Sequence, residues 1–158
     1  MKANWLAIFV ALLLIGLSIW IIVIQIKESH LQNDPKLNEL HEILKPLFSK
    51  DKNYTGVLSS LNNRNILNEI KLYKGSRSYT INKEKVFICL KDENDEYYNL
   101  NLLIYVLLHE ISHVICNSIG HTDEFHAIFE ALLIKATEEG IYNPSIPIDP
   151  DYCTKTPE

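Results

Sequence analysis

Between Trp5 and Ile26 the chain runs through 22 residues without a charge, WLAIFVALLLIGLSIWIIVIQI, and beyond it apolar positions recur only in shorter groups set among polar ones. As a helix this stretch is about 33 Å long, enough to cross the hydrocarbon core of a bilayer. It exceeds the roughly 7–15 residues of a signal-peptide core, and no small-x-small cleavage pattern precedes Lys27, so it reads as an uncleaved anchor. The pattern divides the chain into an N-terminal tip (1–4), a transmembrane anchor (5–26), a domain (27–140) and a tail (141–158) with four prolines.

After a short polar juncture, Asp34-Pro35 has the form of an N-cap followed by proline at the first helical position. Leu37, Leu40, His41 and Leu44 then recur at helical spacing before Pro46, and His41 reads as a boundary residue of that helix. Residues 50–56 read as a loop, and 57–70 as a short helix interrupted at Asn62-Asn63-Arg64-Asn65. Alternation over Ile70–Tyr73, Ser78–Ile81 and Val86–Leu90, with Gly75-Ser76 and a polar connector between them, predicts a small, largely antiparallel sheet. The acidic run 92–96 lacks the spacing and glycine of an EF-hand and reads as a solvated loop.

Asn99 or Asn101 then caps an apolar helix expected to reach Ile119 and to close on Gly120; its apolar run is too short for a second span. Thr122-Asp123-Glu124 starts another helix, with a stripe of Phe125, Ile128, Phe129, Leu132, Leu133 and Ala136 ending at Gly140. The Pro-rich tail is expected to be extended and laid over the domain, or mobile. The fold class is α+β.

Charge narrows the partners. Residues 27–158 hold 14 basic and 20 acidic side chains with no clustered Lys/Arg run, so no direct nucleic-acid partner is expected. Lysines flank the anchor on both sides, leaving its orientation unresolved. The three cysteines, Cys89, Cys116 and Cys153, cannot all pair within one chain and lack zinc-knuckle spacing. They read as buried thiols, slightly favouring the reducing side of the membrane.

Chemistry concentrates in His109-Glu110-Ile111-Ser112-His113. On a helix the two imidazoles fall one turn apart on one face with a carboxylate beside them, the arrangement that holds Zn²⁺ and supplies a general base. Two histidines and a glutamate in so apolar a helix are costly without partners, and a metal supplies one. A single catalytic zinc takes three protein ligands. His121, just past Gly120, is the leading third ligand; Glu130 is the main alternative, with His126 and Asp123 also open. Cys116, on the same face as His109, reads as packing below the site. Tyr142 and Tyr152 are candidates to fold over the cleft and stabilise a transition state.

LLHEISHVI followed by GHTDEFHAIF resembles the WLM and SprT-like zinc metallopeptidases, in which an HExxH helix is followed by a third histidine at the start of the next helix. The resemblance implies a zincin-like domain with His109, His113 and His121 as ligands, Glu110 as general base and Phe125 as a packing aromatic. YTINKEKVFICL, YYNLNLLIYVLLHEISHVI, GHTDEF and IYNP…DYC are similar to small predicted metallopeptidases of large DNA viruses, some with an N-terminal hydrophobic anchor. This likeness, from Tyr79 to Cys153, covers about half the chain. The function expected is a membrane-anchored zinc peptidase acting on a protein or peptide. The alternative is a non-hydrolytic, metal-stabilised module that binds a protein partner at a membrane.

Overall fold

The structure, a computed structural model, describes residues 4–153; residues 1–3 of the tip and 154–158 of the tail lie outside the described residues. Helix α1 (Trp5–Gln32) is exposed along its apolar length and long enough to cross a membrane; a signal sequence has the same appearance. It runs past the expected end at Ile26 because Lys27 to Gln32 contains no helix breaker. Its last turns are held against the domain by Glu28, whose Oε1 accepts from the Tyr73 hydroxyl at 2.5 Å and from Lys85 Nζ at 2.8 Å. Helix α2 (Pro35–Leu44) starts as expected, with the Asp34 carboxylate accepting from the Lys36 N–H. A 3-10 helix (Gly56–Asn63) and the short α3 (Ile66–Glu69) occupy the region of mixed pattern.

Three strands follow, β1 (Lys71–Lys74), β2 (Tyr79–Ile81) and β3 (Lys85–Ile88), in the order β1-β3-β2. The sheet is mixed rather than largely antiparallel: β2 pairs antiparallel with β3, whereas β1 pairs parallel with it. Burial explains the order. Val86 and Ile88 are fully buried, so the most apolar strand takes the centre with a partner on each side. Asn82 and Lys83, at φ 52° and 57°, close the tight β2–β3 hairpin. Residues 75–78 instead arch over the end of β3, where the Gly75 N–H donates to the Ile88 carbonyl. Glycine is required there, since a Cβ would lie 2.7 Å from the Arg77 carbonyl oxygen.

Helix α4 (Leu100–Ile115), capped by the Asn99 side chain on the Leu102 N–H, packs against β2, β3 and the next helix, α5 (Asp123–Glu138). It ends at Ile115, four residues short of the expected Ile119, because the backbone turns extended at Cys116. The Cys116 and Asn117 carbonyls accept from Lys83 Nζ, a cation suited to a helix C-terminus. Gly120 is therefore not the C′ residue of α4; at φ +84° it turns the loop that leads to α5. Helix α5 begins on Thr122 and stops at Gly140, φ +70°, where Ile141 and Tyr142 N–H groups return to the Ala136 carbonyl.

The tail lies over the domain as far as Cys153. Tyr142 is buried, and Ile148 and Tyr152 pack on the core. The expectation of three reduced thiols does not hold, because Cys89 and Cys153 form a disulfide and only Cys116 is free. The pair is 64 residues apart in sequence, a proximity created by the returning tail. Disulfides persist in oxidising surroundings, so the cysteines no longer argue for a reducing side of the membrane. Cys153→Ser is expected to lower unfolding free energy by about 2–4 kcal/mol, with a reductant imposing the same loss on the parent but not on the variant, measured by denaturant unfolding.

Candidate metal centre

Helix α4 is buried nearly all round, and its composition dictates this. Leu102, Leu103, Ile104, Val106, Leu107, Leu108, Ile111 and Val114 pack into the core, while Asn101, Tyr105, His109 and His113 are only partly buried. These four recur at i+4, so they form the single stripe of the helix that faces outward. Both histidines of the HExxH segment lie on it.

His121 reaches the same stripe from the loop between α4 and α5. Its Nε2 is 3.0 Å from Nε2 of His109, and one ring nitrogen from each of His109, His113 and His121 falls within 4.8 Å of the others. The loop is braced from the first turn of α5. Glu124 accepts from the Asn117 and Ser118 N–H groups, the Asn117 amide and the Ser118 hydroxyl, contacts that hold its carboxyl down at about 2. Phe125, fully buried, forms the floor, with its ring stacked at 4.3 Å on His113 and 4.9 and 4.7 Å from His109 and His121. Phe129 closes the side next to His109 at 5.2 Å.

This environment keeps the His109 and His113 rings neutral. Burial, reinforced by His113, His121 and His126, pulls the His109 imidazole down to about 4, and burial with the neighbouring His121 lowers His113. An uncharged imidazole presents a lone pair at neutral pH without first losing a proton. Three imidazole nitrogens clustered in this way are a donor set that fits Zn²⁺, which takes imidazole nitrogen at about 2.0–2.1 Å. Each nitrogen comes from a separate side chain on a rigid or braced segment.

Glu110 points to the other side of the stripe and is 5 % exposed. Its Oε2 accepts from the Thr80 hydroxyl at 2.8 Å, which ties the carboxylate to β2. Burial raises the Glu110 carboxyl above the ordinary range, and the Thr80 hydrogen bond draws it partly back. Thr80 was not legible as a site residue. Its only signal is alternation along β2, which puts it on the face opposite Tyr79 and Ile81 and toward α4.

The other candidates are placed apart from the triad. His126 is exposed with its ring 6.2 Å from that of His121, and Glu130 and Asp123 are exposed on α5; none joins the three-histidine group. Cys116 is buried in the core. The buried Tyr142 packs on Tyr105, its ring centroid 6.0 Å away. The Tyr152 hydroxyl donates to the Cys89 carbonyl at 2.8 Å and meets the Ser78 hydroxyl at 2.7 Å. Burial pushes its phenol above the usual range.

The chain is similar to proteins of large DNA viruses. It is 46% identical over 117 residues to the uncharacterized protein 136R of Invertebrate iridescent virus 6, covering 72% of this chain and 66% of that protein. It is 43% identical over 100 residues to the uncharacterized protein 042R of Invertebrate iridescent virus 3, covering 63% of each. The uncharacterized protein R325 of Acanthamoeba polyphaga mimivirus is 30% identical over 129 residues, with 76% of this chain and 64% of that protein covered. The chain thus spans just under two thirds of the length of these relatives. No family model matches the sequence. No solved structure matches the fold. What the comparisons establish is a set of viral relatives sharing most of this chain.

Proposed function

We propose that the chain is a membrane-anchored, zinc-dependent peptidase of the WLM and SprT-like kind, with His109, His113 and His121 as ligands and Glu110 as general base. The observation that carries this reading is the convergence of three imidazole nitrogens within 4.8 Å, with a buried carboxylate next to His109 in the sequence. A bound zinc would supply Lewis acidity, polarising a scissile carbonyl and making water acidic enough to be deprotonated near neutral pH.

The remaining steps belong to the protein. Glu110, aimed by Thr80, accepts a proton from the attacking water and returns it to the leaving amine. Its raised pKa suits the first transfer, since a carboxylate that burial makes more basic takes the proton from water more readily than an ordinary one. Phe125 and the apolar body of α4 exclude water from the inner side of the imidazoles. An extended peptide would align on β2. Strand β3 is central and has no free side, whereas β2 is an edge, and its Thr80 touches Glu110. Helix α1 would hold the domain at a membrane.

The intact base favours hydrolysis over a purely structural zinc module, which has no use for a buried glutamate held by a hydroxyl. Turnover of a peptide library by the zinc-loaded full chain is expected to fall at least about a hundredfold in Glu110→Gln with zinc retained. A folded, zinc-loaded parent that cleaves no better than this variant would leave the protein-binding alternative standing. Thr80→Val removes a hydrogen bond that stabilises the ionised carboxylate, so the acidic limb of kcat/KM is expected to move to higher pH. Thr80→Ser keeps the hydroxyl and is expected to leave that limb in place; pH–rate profiles of the two variants provide the check.

A further inference from the structure

The face of the sheet turned away from α4 has a composition unlike the rest of the domain. Register brings Tyr73, Phe87 and Tyr79 into one row across β1, β3 and β2, with Phe87 stacked between the two tyrosines at 4.8 and 4.6 Å. The next row on that face is Lys71, Lys85 and Ile81. Tyr73 is covered, but Tyr79 and Ile81 are 43% and 40% exposed. In a soluble domain such a row of adjoining aromatic and aliphatic side chains calls for a partner.

Charge is just as uneven. Residues 71–87 carry five basic side chains and one acidic, whereas the rest of 27–158 carries nine basic and 19 acidic. Lys83 turns to the end of α4, but Lys71 and Lys85 stay on the aromatic face, where Lys85 is paired with Glu28 and Lys71 is exposed. The sheet segment is a positive island in an acidic domain.

Its position relates it to the anchor. Ile24, in the last apolar turn of α1, shares a small cavity with Lys27, Glu28, Tyr73, Lys85 and Phe87. The aromatic row therefore begins where the apolar span ends and continues sideways to Tyr79. Tyrosines and lysines at that level match what a bilayer interface favours, rings among the headgroups and ammonium groups on phosphates.

We propose that this face is a lipid-contacting surface, on which Tyr79, Phe87, Ile81, Lys27 and Lys71 rest against the anionic headgroups of the membrane that holds α1. The proposal rests on reading α1 as an anchor and goes beyond it. Glu28 joins the end of α1 to the sheet, but a single span can still tilt and rotate in the bilayer and carry the domain with it. A second contact fixes the tilt, and since Thr80 lies between Tyr79 and Ile81 it sets the Glu110 side of the histidine cluster at a constant height above the bilayer.

The sequence offers a direct test because its two tryptophans, Trp5 and Trp20, both lie in α1. Single-tryptophan versions of the full chain in phosphatidylserine-containing vesicles can be probed with lipids brominated near the headgroup or near the chain centre. Trp5→Phe leaves Trp20 to report the anchor. Tyr79→Trp with both native tryptophans changed to Phe reports the sheet face. Ile134→Trp in the same background reports the exposed face of α5.

The position-79 tryptophan is expected to lose roughly half its emission to headgroup-level bromine, and the position-134 tryptophan almost none. Equal quenching at 79 and 134, with Trp20 strongly quenched, would overturn the surface and spare the anchor. An unquenched Trp20 would overturn both.

Discussion

Burial of α4 is the constraint on which the rest depends. An apolar helix packed on the sheet on one side and α5 on the other leaves a single stripe for polar atoms, and His109 and His113 occupy it. Charged imidazoles there would be poorly solvated, so burial keeps them neutral, the condition under which they can bind a metal. Glu110 is buried just off the stripe and is satisfied by a hydroxyl from β2. The energetic cost of placing polar groups in a core and the chemistry proposed for them have the same origin.

Around that helix the structure is organised to bring in His121. The end of α4 is fixed by Lys83 at its carbonyls, the following loop by Glu124, and the floor by Phe125. These three come from the β2–β3 turn and the first turn of α5, so the placement of His121 depends on the sheet and both helices packing together. Substitutions in any of them would act on the site without replacing one of its histidines.

Short-range signals were enough for the local structures. Asp34, Asn99 and Thr122 cap helices because each can reach the backbone two or three residues ahead. The stripe of α5 and the grouping of His109, His113 and His121 followed from helical spacing and a short return loop. The misreadings involve distance along the chain. The parallel β1–β3 pairing reflects the need of Val86 and Ile88 for cover on both sides, which no window around β1 contains. The Cys89–Cys153 bond depends on where the tail returns, and Thr80 acquires its role only when β2 meets α4. The helix end at Ile115 was hidden because Cys116 to Ile119 has no breaker; the caps that stop it are Lys83 and Glu124, distant or on the next helix.

The central claim is that three imidazoles, and no carboxylate of α5, form the ligand set. It is tested most directly by zinc affinity, measured by competition with a chromophoric chelator on the full chain and on His121→Ala and Glu130→Ala. The account expects one zinc per parent chain, an affinity lowered at least about tenfold in His121→Ala, and parental affinity in Glu130→Ala. Loss of zinc from the glutamate variant with the histidine variant unaffected, or no stoichiometric zinc in the parent, would contradict it.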